Sequence, residues 1–164
     1  MTVDFQMGNV IVPAIVAQFA ANAAAAVRAI NSEITDGLTI VEPAQILDFA
    51  PTPATLEGAL PLIGLADFPS RFEDDLVSSV TGVHQFAIVA ALSNVDERAL
   101  AWQLRRYRTL IANLIQVDRT FGGVCRPALF DQVQPGPYLE NTNPERPHSW
   151  LSWFYYLITC RRDE

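Results

Sequence analysis

The side chains able to act on a substrate are few and scattered. Two histidines, His84 and His148, lie far apart, and neither has a partner at metal-ligand spacing. His84 falls on an expected strand, where a core or half-buried place is the simpler reading. His148 falls in a proline-rich stretch close to Trp150, the address of a surface residue. Cys125 and Cys160 sit on expected strands and read as buried thiols of a reducing compartment. A disulfide between them requires that those strands be neighbours. Glu73-Asp74-Asp75 offers carboxylates to Mg²⁺ or Ca²⁺ but lacks the spaced oxygen ligands of a dedicated loop, so it reads as a solvated cluster. There is no G-x-S-x-G elbow, P-loop or G-x-G-x-x-G, and Gly122-Gly123 is turn chemistry. No catalytic, cofactor-binding or metal-ligating residue is assigned, no cofactor is expected, and the chain reads as a protein that is not an enzyme.

One constellation does point to a role. Between Val95 and about Val117, Leu100, Leu104, Tyr107, Ile111, Leu114 and Ile115 follow the rhythm of one buried helical stripe. Asn94 with Glu97 has the spacing of a capping box, and Asp96 adds negative charge to the first turn. Arg98, Arg105, Arg106 and Arg108 are expected on the opposite half, with Trp102 among them. Tryptophan with arginine is typical of protein interfaces, where the ring supplies area and the guanidinium stacks or pairs. A Trp lying flat beneath arginine stems, or covered by a loop, fits the same spacing.

The elements that position this helix follow from composition. The chain has 164 residues, half of them hydrophobic, and a net charge of −7. That suits one domain over residues 1–164 and excludes general disorder or a disulfide-stapled miniprotein. Arginine is the only cationic side chain apart from histidine, because lysine is missing. Residues 1–90 carry ten acids against Arg28 and Arg71, a balance of −8; residues 91–164 carry eight against nine arginines, a balance of +1. The acidic total argues against a general nucleic-acid binder. Oppositely biased halves can meet when copies pack head to tail in a ring, although ordinary surface scatter gives the same arithmetic.

The apolar run from Val10 to Val27 lacks a basic leader, which argues against a signal peptide. Its alanine content argues against a membrane span, so no membrane partner is expected. It reads as a helix with Pro13 in its first turn, ending near Asn31 and packed on more than one side. Leu38–Val41 is expected as a short strand, continued by Ile46–Phe49. Residues 43–82 form a proline-rich acidic elaboration, in which 59–65 is an edge strand or a buried loop. Arg71–Asp75 is expected as a loop. Val83–Leu92, apolar on both faces near its end, reads as a central strand. Val124–Val133 reads as an edge or bulged strand because of Pro127. Residues 134–148 are expected as the long loop of a hairpin, and Trp150–Cys160 as a strand with two apolar faces. The fold class is α/β (α+β): a small, mostly antiparallel sheet packed by the N-terminal Ala-rich helix and the central amphipathic helix.

This order of elements resembles the tail terminators and related neck (head–tail joining) proteins of long-tailed bacteriophages. The resemblance is carried by Gln85-Phe86-Ala87-Ile88-Val89, Asp96-Glu97, Arg106-Tyr107-Arg108, Leu114 and the closing strand Trp150–Ile158. It covers roughly residues 83–160 as a pattern, and residues 43–82 match nothing in it. The resemblance implies a structural virion protein of the tail or neck, assembled in the host cytoplasm. Its partners would be copies of itself in a hexameric ring, the tail tube protein and the head connector, with genomic DNA passing through the lumen. Trp102, Arg98, Arg105, Arg106 and Arg108 would then lie at the subunit interface. Tyr138, Glu140, Asn141, Arg146 and His148 would lie on the loop that meets the tube or the connector. The same residues leave open another neck, tube or baseplate component. They also leave open a small cytosolic enzyme or ligand-binding domain with a pocket under residues 43–82.

Overall fold

The computed structural model describes residues 8–68, 71–75, 79–140 and 149–163. In chain order the elements are α1 (Gly8–Glu33), β1 (Gln45–Leu47), α2 (Pro53–Leu56), β2 (Leu62–Asp67), β3 (Arg71–Asp75), β4 (Ser79–Asn94), α3 (Glu97–Val117), β5 (Leu129–Glu140) and β6 (Trp150–Asp163). The fold is α+β. The strands form one sheet ordered β1-β2-β4-β6-β5, with β3 beside the first part of β4. Only β1 and β2 run parallel; the other pairs are antiparallel.

The sheet centre follows from the residues with two apolar faces. β4 is paired along both edges, and β6 lies between β4 and β5. One face of these strands presents Phe86, Ile88, Ala90, Leu92, Phe154 and Ile158 to the helices. From α3 come Leu100, Leu104, Tyr107, Leu110, Ile111, Leu114 and Ile115, and from α1 come Ile11, Ile15, Phe19, Val27 and Ile30.

α1 is long and apolar enough to cross a membrane by length and composition. Here its large side chains form one buried stripe in the core, so the helix is amphipathic by size. Ala17, Ala20, Ala21, Ala25 and Ala29 on its other side are exposed, so within this chain α1 is packed on one side. Pro13 lies in the second turn, because the helix begins at Gly8.

The amide of Gln18 donates to the carbonyls of Leu114 (2.7 Å) and Asp118 (3.0 Å) and so caps the end of α3 from α1. Gln18→Leu is expected to lower stability by about 1–3 kcal/mol, the cost of leaving these carbonyls unpaired. Urea titration of both proteins checks this: the midpoint should fall with an unchanged slope.

Several local expectations change, each for a physical reason. The cap of α3 is Asp96, whose carboxylate accepts from the N–H groups of Arg98 (2.8 Å) and Ala99 (3.1 Å). Asn94 is still in β4, opposite Trp150, and its side chain accepts from the Asp96 N–H instead. Leu38–Val41 is not a strand. The Asn31 amide brackets Ile40 by donating to its carbonyl (2.8 Å) and accepting its N–H (2.9 Å), and the Tyr107 hydroxyl donates to the Val41 carbonyl (2.5 Å). The strand at 62–67 is not an edge along its first half, because β1 covers Leu62–Gly64 on the side that β4 does not, and the Leu65 N–H beyond them donates to the Phe49 carbonyl (3.2 Å). Arg71–Asp75 is strand β3, recruited by an extension of β4 back to Ser79.

β5 begins only at Leu129. Pro127 precedes it in a connection shaped by Asp118, whose carboxylate accepts from Thr120 N–H (2.8 Å), Thr120 hydroxyl (2.6 Å) and Gly122 N–H (2.7 Å). Phe121, Gly122 and Gly123 all have positive φ there, which two glycines make tolerable. Residues 134–140 of the expected loop are the end of β5, paired with β6. The ladder shifts register between Pro135 and Tyr138, where the prolines cannot donate, and an edge strand accommodates that. Residues 141–148 lie outside the described residues.

Candidate functional site

The helix face of the sheet is filled, so any contact surface must be built elsewhere. Two surfaces qualify. The first is the solvent side of α3. Arg98, Trp102, Arg105, Thr109, Asn113 and Gln116 recur every three or four residues and are all exposed. Trp102 is 41% exposed and opposite the buried stripe. The Arg105 guanidinium lies over its ring, 4.7 Å from the centroid. This stacking holds both side chains in place before any partner arrives.

Not all four arginines join that face. Arg106 is only 4% exposed and forms an ion pair with Asp36, so it is a structural residue of the protein interior. Hydrogen bonds from Arg106 and from the Leu38 N–H hold the Asp36 carboxyl below the usual carboxylate range. Arg108 is half-buried on the other flank, with its guanidinium 5.6 Å from the Phe154 ring centroid. Its carbonyl accepts the Tyr156 hydroxyl (3.1 Å). The expected opposite half therefore reduces to Arg98, Trp102 and Arg105. Arg106 and Arg108 flank the buried stripe, and positions so placed turn inward when a partner lies within reach.

The second surface is the face of the sheet away from α1 and α3. Across β4 and β6 the direct pairs Ala87–Leu157, Val89–Tyr155 and Ala91–Trp153 line up on it. Val89, Trp153, Tyr155 and Leu157 are half-buried. Gly136 of β5 lies against the Trp153 indole, and a Cβ there would come within 2.6 Å of its Nε1. Gly136→Ala is therefore expected to destabilise by about 1–3 kcal/mol through overpacking. A thermal melt with tryptophan fluorescence would register both the lower midpoint and the displaced ring.

Of the residues expected on the partner-contact loop, Tyr138 and Glu140 are exposed near the end of β5. Asn141, Arg146 and His148 lie outside the described residues. His84 is buried on the helix side and stacked on Phe86, with centroids 6.2 Å apart. Among the described residues no three His, Cys, Asp or Glu side chains are grouped as a metal site would require.

The cavity by the 43–82 segment, lined by Ile40, Val41, Pro61, Leu92 and Tyr107 among others, holds about 130 Å³. That is below the usual range for a small-molecule site. A polar cavity of about 230 Å³ opens on the sheet face away from the helices, between Arg71, Asp131, Thr159 and Arg161. It escapes a reading of the sequence because its residues come from four strands; the alternation of Val83, Gln85 and Thr159, Arg161 is its only trace. No model of a known protein family matches the chain, and no curated protein matches it.

Proposed function

We propose that this protein is a structural subunit of a bacteriophage neck, a tail terminator that assembles into a ring on the end of the tail tube. The ring, read as a hexamer, joins the tube to the head connector, with DNA passing through its lumen. The observation that carries the reading is Trp102, a large aromatic side chain 41% exposed on the outer side of α3 and stacked beneath Arg105. Such a residue is typical of the anchors that dominate protein interfaces. The architecture supports it: two helices on one face of a mostly antiparallel sheet leave the solvent side of α3 and the half-buried Trp153, Tyr155 and Leu157 of the opposite sheet face available to neighbours. The −8 and +1 halves of the sequence supply complementary charge for head-to-tail contact, and acidic residues facing a lumen would keep DNA from sticking.

Native mass spectrometry of the purified protein, alone and mixed with tail tubes, tests the proposal. The expected result is a closed oligomer, either free or templated by the tubes. A chain that stays monomeric in both conditions overturns it. Capture by head-side neck components or baseplate instead of tube ends would move the protein to another place in the particle.

A further inference from the structure

The fold brings the two cysteines of the chain together at the end of the sheet. Cys160 is on β6 and fully buried; Cys125 is in the connection between α3 and β5 and is 7% exposed. The Arg126 N–H donates to the Arg161 carbonyl (2.6 Å), which clamps the connection onto β6 one residue beyond each cysteine. Both cysteines belong to the same buried cluster, and each is the other's strongest electrostatic neighbour. Cys125 in its thiol form donates to the Thr120 carbonyl (3.7 Å).

The surroundings separate the two thiols. Its neighbour Cys160 holds Cys125 below the ordinary thiol range, with help from Arg162 and against the opposing pull of burial and of Asp118. Cys125, together with burial, pushes Cys160 up. Asp163 is taken up by its ion pair with Arg126 (2.6 Å), and His84 of β4 stands opposite Cys160 in the ladder.

Access is asymmetric as well. Cys125 lines an open cavity of about 490 Å³, together with Val10, Gly123, Arg126 and Arg162, whereas Cys160 does not line it. The Arg162 Nη1 is buried and finds no hydrogen-bond acceptor among the described residues.

From this arrangement we propose that Cys125 and Cys160 form a redox-active dithiol that reduces small hydroperoxides, with Cys125 as the attacking sulfur and Cys160 as the resolving one. The Cys125 sulfur attacks the terminal oxygen of the hydroperoxide. An S–O bond forms, the O–O bond breaks, and the leaving alkoxide takes the Cys125 proton to become an alcohol. The Cys160 sulfur then attacks the Cys125 sulfenic acid. An S–S bond forms, the S–O bond breaks, and hydroxide leaves as water with the Cys160 proton. Two thiols lose two electrons and one hydroperoxide gains them. The product ties the α3–β5 connection to β6, and a thiol reductant reverses it. This inference is independent of the proposed assembly.

The test treats the full-length protein with tert-butyl hydroperoxide. Intact mass and a non-reducing peptide map are the readouts. The expected result is loss of the mass of two hydrogen atoms, a peptide linking Cys125 to Cys160, and recovery of both thiols with dithiothreitol. Both cysteines remaining alkylatable after unfolding, or Cys125 running on to sulfinic acid without a link, overturns the proposal. Because this reading uses the unaltered protein, it does not depend on a variant that folds. Cys160→Ala, checked by circular dichroism, is expected to stall at a Cys125 sulfenic acid that dimedone traps. Trapping at Cys160 in a Cys125→Ala protein would overturn the assignment of roles.

Discussion

Trp102→Ala is expected to leave the monomer folded and to dismantle the assembly, while Leu104→Ala, two positions along the same helix, does the reverse. Leu104 is buried in the cluster shared with the sheet, so truncation should cost about 2–5 kcal/mol through lost burial and a residual cavity. Trp102 lies outside the buried cluster and is stacked under Arg105. Losing that stacking should cost about 0.5–1 kcal/mol of monomer stability. If Trp102 anchors a neighbouring copy, its loss should cost about 2 kcal/mol or more per interface, roughly a thirtyfold weaker association. Denaturant unfolding and native mass spectrometry on both variants separate the two outcomes. A Trp102→Ala protein that unfolds like Leu104→Ala would make Trp102 a core residue and remove the main support for the ring. A variant that folds and assembles normally would remove it as well.

How much of this was legible before the fold was known depended on the range of the physics involved. Amphipathic helix α3 is written in local spacing, and so is the central position of β4 and β6, since strands apolar on both faces must be covered on both. Trp102 could be placed outside for the same reason: it lies a half-turn away from Leu100 and Leu104. Spacing places Arg106 beside Arg105 on the opposite half, whereas the fold buries Arg106. Both are arginines, and only the arrival of Asp36, seventy residues away in sequence, turns one inward. The backbone of Ile40 and Val41 has the look of a strand because it is extended, yet Asn31 and Tyr107 satisfy its polar groups in place of a second strand. The acidic stretch Arg71–Asp75 read as a loop because charge disfavours a buried strand, but pairing to an overlong β4 asks only for a free edge. The meeting of Cys125 and Cys160 has no local signal at all, since it is made by the turn at Phe121–Gly123 folding the chain back onto β6.

The Asp36–Arg106 pair carries the second large prediction. Arg106 is buried, its Nη1 has no acceptor among the described residues, and Asp36 is the counter-charge that makes the guanidinium tolerable there. Asp36→Asn is therefore expected to lower the melting temperature at neutral pH by several degrees, since a buried cation left unpaired is costly. Adding Arg106→Met should restore most of the loss, because an apolar side chain of similar length needs no counter-charge. The same pair sets part of the acid limit. A carboxyl held low in the folded state stabilises the fold fully above its ordinary value, and that contribution fades as pH falls from there through the lowered value. Asp36 is joined by Asp118, held low by Thr120 and Gly122, and Asp163, held low by Arg126 and Thr81. Stability should therefore decline below about pH 4, near the ordinary aspartate value. The decline should be shallower in Asp36→Asn, which has one fewer carboxylate to protonate. Thermal melts at pH 7 and at pH 3 on the parent, the single variant and the double variant test both halves. An Asp36→Asn protein that melts with the parent at both values would mean that Arg106 needs no counter-charge at this site, and the ion pair would lose its role in the fold.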